Sequence, residues 1–188
     1  MVKMFNETKT AQVAVFFLGK TQDGRMSHLK LMKLMYLADR EAVSRTGLPM
    51  TWDHPVSMPH GPVLSMTLDL MNGNVHSPPG GWEDLISAKE NHEVSARVAF
   101  DARCLTKLSE AEIDVLEFVW DRFGRMGKWE IRDWTHENCP EWEDPDGSSR
   151  PIAFHTLARS VGFDEDAATE LANIVATGQE IDKLFASL

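Results

Sequence analysis

The chain has 188 residues, 43% of them hydrophobic, and a formal charge of −10. That is enough apolar material for one domain with its own core, while the acidic balance opposes non-specific attraction to DNA or anionic lipid, which draws mainly on cationic contacts. No apolar run reaches the roughly 18 residues a membrane helix needs, no secretory h-region follows the early lysine, and Cys104 and Cys139 are neither close nor patterned, so a cytoplasmic protein with reduced thiols is expected.

In chain order, a first helix is expected over Asn6–Gly19, ended by the polar Thr21-Gln22-Asp23-Gly24 turn. Ser27 suits the cap of a second helix, and Gly47 followed by Pro49 suits its end. Between Trp52 and Met58 the prolines allow only a short strand or extended loop. Pro62 suits the first position of a third helix, where no amide donor is needed, with Val63, Met66 and Leu70 on one face and a stop at Asn72-Gly73. Ser77–Gly81 is a turn cluster. From Glu93 to Phe100, Val94, Ala96, Val98 and Phe100 recur at every second position, the period of a half-buried strand.

Ser109 with Glu112 forms a capping-box signature. The helix that follows aligns Ile113, Leu116, Trp120 and Phe123 and breaks at Gly124. A short helix over Lys128–His136 buries Ile131 and Trp134, and Asn138–Arg150 reads as an acidic loop. Phe154, Leu157, Ala158 and Val161 mark a helix with Pro151 at its start and Gly162 past its end. Leu171, Ile174 and Val175 mark another, and Ile181, Leu184, Phe185 and Leu188 a last amphipathic stretch. The fold class expected is α+β, mostly helical, a compact single domain over residues 1–188 with a small β element.

The second helix holds the main anomaly. At about 100° per residue, Leu31, Leu34, Met35, Ala38 and Ala42 cluster on one side, and Leu29, Met32, Tyr36 and Val43 widen the apolar arc past half the circumference. Lys30, Lys33, Arg40, Glu41 and Ser44 share the remaining face. Asp39 falls between Met35 and Met32, inside the apolar sector. A carboxylate there needs partners or a proton. It is read either as a structural group holding the Trp52–Pro62 loop or as a general base or metal ligand.

His54, His60, His136 and Cys139 lack the Cys-x2-Cys or His-Glu-x-x-His spacing that specifies a metal, so no metal is assigned. No Gly-x-Ser-x-Gly elbow, P-loop or dinucleotide fingerprint occurs, and no catalytic residue is assigned. Trp120 and Trp134 fit apolar helix faces; Trp142, in an acidic loop, is expected to be exposed and to anchor a partner. Residues 137–188 carry 11 acidic and 3 basic side chains, against 18 and 16 in residues 1–136. This tail suits either a solvated surface or attraction to a basic protein. The Ile181/Leu184/Phe185 stripe suits either a partner contact or this protein's own core.

Three separated segments resemble the Panacea domain of SocA-like antitoxins. They are Leu34-Met35-Tyr36-Leu37-Ala38-Asp39 with Gly47-Leu48-Pro49-Met50; Met58-Pro59-His60-Gly61-Pro62-Val63; and Thr135-His136 with Cys139-Pro140-Glu141-Trp142. The last has one residue inserted between proline and tryptophan. The resemblance spans roughly residues 5 to 145, leaving an acidic helical part over 146–188. It implies an antitoxin that neutralises a cognate toxin protein by direct contact, and, as for the family's namesake, a proteolytic adaptor presenting the toxin to the ClpXP protease. It implies no cofactor, and a fold-organising role for Asp39, His60, Gly61, Pro62 and His136. Two other readings stand beside it. One is a hydrolase-like enzyme using Asp39, His60 and His136 around one pocket. The other is a DNA-binding regulator, which the acidic charge and the lack of a basic helix face beyond Lys30, Lys33 and Arg40 oppose.

Overall fold

The computed structural model describes residues 4–99 and 105–186, with backbone alone for 182–186. Two helices make the centre. α1 (Glu7–Gly19) is buried continuously from Thr10 to Leu18, and Asn6 caps it by accepting from Lys9 N. α2 (His28–Thr46) is buried from Leu31 to Asp39 and ends at Gly47, whose φ of 79° is the left-handed C-cap conformation. The breadth of the α2 apolar arc follows from its neighbours. α1, α5 (Glu110–Phe123), α6 (Lys128–Asn138) and α7 (Phe154–Ser160) all pack on it.

Two small antiparallel sheets sit around this helical core. β1 (Arg25–Ser27) pairs with β4 (Glu93–Ser95). β2 (Pro55–Met58) lies between β3 (Gly61–Leu64) and β5 (Arg150–Pro151). The fold is thus mostly helical with a small β element, in one compact domain.

Several local expectations shift. Pro62 lies in β3 opposite Ser57 and does not open a helix; an edge strand tolerates its missing N–H. The third helix, α3 (Ser65–Asn72), starts three residues later. Pro151 belongs to β5, and the helix it was expected to start begins at Phe154. The strand over Glu93–Phe100 shortens to Glu93–Ser95, followed by a bridge from Ala96 to Ile86; Phe100 is outside the described residues. A short α4 (Trp82–Leu85) follows the Ser77–Gly81 turn.

The helix marked by Leu171, Ile174 and Val175 runs on into the amphipathic stretch expected after it, as α8 (Glu165–Ala186). Gly178 lies within it, at a place where a Cβ would be 2.8 Å from Trp52 Cζ3. The small residue lets the helix close on the indole. Leu171 similarly packs over Gly47. Val175 and Gly178 are buried, whereas Ile181 stays 44% exposed. Leu184, Phe185 and Leu188 have no described side chains.

Candidate functional site: where the three segments meet

The β2–β3 hairpin turns through Pro59 and His60, because Met58 faces Gly61 in the register. Gly61 then takes φ +90°, which strains any side chain. Space forbids one as well. A Cβ there would lie 2.8 Å from Thr135 Oγ1, 3.0 Å from Lys33 Nζ and 3.1 Å from His136 Cδ2. The glycine is the point where α2, the hairpin and α6 touch.

Lys33 is the largest departure from the helical-wheel reading. Placed by its angle on the polar face, it is 0% exposed, and its ammonium donates to Pro62 O at 2.7 Å. Burial lowers its pKa to about 7. Residues of the hairpin and α6, distant in sequence, cover what would otherwise be a solvent face.

His136 lies flat on Trp142, ring centroids 4.0 Å apart and 6° from parallel. Its Nε2 is buried without a partner. Desolvation, with Lys33 and Arg132 nearby, lowers its pKa, so the ring is held neutral at pH 7. Trp142, expected to be exposed, is half-buried and donates its indole N–H to Met58 O at 3.0 Å. The loop after α6 folds back on the hairpin and takes this tryptophan inward.

Beside it, the Glu141 side chain is 0% exposed. It accepts from Tyr36 OH at 2.5 Å and from Arg40 Nε at 2.7 Å, with Arg40 Nη2 at 3.4 Å. A buried carboxylate with a guanidinium and a phenol is fully occupied. Burial, then the charge of Glu141, raises the Tyr36 pKa, so the phenol stays a donor. Cys139 is buried alongside, and desolvation and Glu141 push its thiol up to about 12. It is an inert packing residue, as a thiol that keeps its proton is a poor nucleophile.

Asp39 sits on the α2 flank of the same region, buried as expected. Its main partner is Thr51, whose N donates at 2.9 Å and whose Oγ1 donates at 2.5 Å, and the Met50 backbone N–H also acts on it. His60 and the Trp52–Met58 stretch, looked to for partners, supply none of its hydrogen bonds. Burial, with the charge of Asp53 behind it, outweighs the bonds from Thr51 and Met50 and raises the Asp39 pKa to about 7. The next link was not anticipated. Asp53, also buried, accepts from His54 N at 2.6 Å, Met66 N at 2.9 Å, Thr67 N at 2.8 Å and Thr67 Oγ1 at 2.7 Å. It thereby caps α3 from 13 residues upstream of Met66, while its own N–H donates to Thr51 Oγ1 at 3.2 Å. Cap signals are read from the residue adjoining a helix, so one delivered by a loop leaves no local mark. Between the two acids, Trp52 holds φ 59°, a conformation bulky residues rarely adopt, and presents its ring to Gly178.

The remaining sequence-chosen residue, His60, is exposed at the hairpin tip, with its ring 6.1 Å from that of Trp129 at 70°. Asp39, His60 and His136 therefore have separate partners: Thr51, Trp129 and Trp142. No pair among the three shares a hydrogen bond, which leaves the hydrolase reading without a base–nucleophile contact. Among the described residues no group of three or more His, Cys, Asp or Glu is placed to hold a metal ion, and no helix is long and apolar enough to cross a membrane.

The junction is thus made from the three segments singled out in the sequence. Comparison with known families agrees with that grouping. A family model described as antitoxin SocA-like, Panacea domain, matches residues 31–143, so α1 and β1 lie before the matched region and α7 and α8 after it. No curated protein and no solved structure matches the chain. From the start of the buried stretch of α2 to the loop behind Trp142, the matched region contains every hydrogen bond of the junction, and the chain belongs to the SocA-like antitoxin family through its Panacea domain.

Proposed function

We propose that this protein is the antitoxin of a toxin–antitoxin pair, neutralising a cognate toxin protein by direct contact in the cytoplasm, and that it hands the toxin to the ClpXP protease as an adaptor. The observation that carries the reading is the family match over residues 31–143. The junction supports it, since most of its polar groups are spent on one another: Asp39 on Thr51, Glu141 on Tyr36 and Arg40, Lys33 on Pro62. Such a network holds a surface in one shape. In this reading Asp39, Gly61, Pro62 and His136 organise the fold, and no cofactor, membrane or nucleic acid takes part.

For the contact itself we assign the outer side of α8. Ile174 and Ile181, seven residues apart, are 46% and 44% exposed, and Leu184 and Phe185 extend that row on sequence pattern. The acidic side chains around them raise the encounter rate with a basic toxin. Trp142 contributes indirectly, through the loop it anchors.

Expressing each neighbouring gene alone should identify one that arrests growth, and co-expressing this chain should restore it. Unchanged growth with every immediate neighbour overturns the antitoxin reading. In cells lacking ClpX the toxin should persist and rescue should weaken. Full rescue there removes the adaptor step and leaves neutralisation by contact.

A further inference from the structure

The ends of α2 and α6 and the hairpin tip enclose an open cleft of about 430 Å³ that the junction does not use. Its walls are His28 and Leu29, His60, His92, and Lys128 with Trp129. Acidic residues outnumber basic ones 29 to 19 in this chain, yet no carboxylate lines this cleft. Burial, with Lys89 and Lys128 nearby, lowers the His28 pKa, which leaves Lys128 as the cation of the lining. Glu130, the acid in the first turn of α6, is engaged as a cap, accepting from Gly127 N at 3.2 Å.

Trp129 is 49% exposed, more than any other large apolar side chain described. Two cations flank its ring: Lys128 Nζ lies 5.5 Å from the centroid, and Arg132 Cζ, whose guanidinium is paired with Asp133, lies 4.9 Å from it. Exposed tryptophan beside arginine is the composition of an interface anchor. The α2 terminus adds to the positive field, having no acid in its first turn and no side-chain cap. Ser27 Oγ, in the wall of the cleft, has no hydrogen-bond partner. The histidines do not form a metal site, since His28 Nδ1 is engaged with His92 O at 2.8 Å and the three are not grouped as ligands.

We propose that this cleft docks an acidic segment of a protein partner, with a carboxylate on Lys128 and an apolar neighbour over Trp129. The inference rests on the reading that this chain works by binding a protein. It adds a second contact of opposite sign to the acidic α8 face, so that a toxin with both charges meets the surface in one register.

The test uses the full chain and a fluorescein-labelled peptide, Asp-Glu-Phe-Asp-Glu-Phe, followed by fluorescence anisotropy, with Lys-Lys-Phe-Lys-Lys-Phe as control. The acidic peptide should bind and the basic one should not, and binding should weaken in about 0.5 M salt. Lys128→Glu and Trp129→Ala should each lower the affinity by about tenfold or more without moving the melting temperature, since both side chains are exposed. No anisotropy change, equal binding of both peptides, or binding indifferent to both substitutions overturns the proposal. With the growth-arresting neighbour in hand, the double variant should bind that toxin at least about tenfold more weakly, and unchanged toxin affinity also overturns it. If no neighbour is toxic, the antitoxin reading falls while the peptide titration still decides the cleft.

Discussion

The three-segment junction and the C-terminal helix are built in opposite ways. The junction is crowded with buried polar groups, most of them satisfied by a residue far along the chain: Lys33 by Pro62, Tyr36 by Glu141, Met58 by Trp142. α8 meets the domain through apolar packing, Leu171 over Gly47 and Gly178 against Trp52, and leaves Ile174 and Ile181 outside. Buried hydrogen bonds fix one geometry because breaking any one strands a partner. Apolar packing with an exposed row tolerates loss and leaves area for something else to cover. The contrast separates a part that shapes the surface from a part free to engage it.

The most severe way to break the contrast is Gly61→Val. A branched side chain at φ +90°, in a space closed by Thr135, Lys33 and His136, should cost about 4 kcal/mol or more, read by chemical denaturation. An equilibrium midpoint close to the parent would mean that the junction yields easily. Gly178→Ala, at ordinary φ against the side chains of Trp52 and Met4, should cost less, about 1–2 kcal/mol, which tests the two regions directly.

Asp39→Ala should destabilise by roughly 2–4 kcal/mol, from the lost bonds and the unsatisfied Thr51 N–H. Asp39→Asn refines this through pH. Burial raises the Asp39 pKa from 3.8 to about 7, so its stabilising contribution is full below pH 4 and lost as pH rises toward 7. The parent should lose stability relative to Asp39→Asn across that window in melting temperatures taken from pH 4 to 8. Lys33 has the opposite slope. Its pKa is lowered from 10.5 to about 7, so its contribution is full above about 10.5 and declines as pH falls toward 7. A parallel pH course for parent and Asp39→Asn would place the Asp39 proton elsewhere.

The smallest effect belongs to the C-terminus. Deleting Gln179–Leu188 should move the melting temperature by only about 2–4 °C, because Val175 and Gly178, the buried contacts, are retained. Toxin affinity should fall much more. A large melting shift with toxin affinity preserved would make the end of α8 part of the core and remove the contact row.

Much of this architecture is readable from local pattern. The Asn6, Gly47, Ser109/Glu112 and Gly124 signals lie at or beside observed helix ends, since caps act within one turn of the chain. Asp39 stands out because a single acid interrupts an apolar arc. The errors share a cause. Lys33 was assigned to solvent by its angle, Trp142 by its acidic neighbours, and Ser27 as a working cap by its position, yet the structure buries the first, turns the second inward and leaves the third without a cap bond. Each depends on what packs over the residue, which no window of neighbours contains.

From the sequence alone came the helical α+β class, the buried Asp39, the three segments and the family they point to. These rest on periodicity, short-range turn chemistry and motif order, all properties of the chain itself. Only the tertiary structure decided that those segments meet at Gly61, that Asp53 caps α3 across the loop, that Glu141 joins Tyr36 to Arg40, and that His60 faces Trp129 across a cleft free of carboxylates. Partners separated by 14 to 105 positions are set by how helices pack and loops close, and that information exists only once the chain has folded.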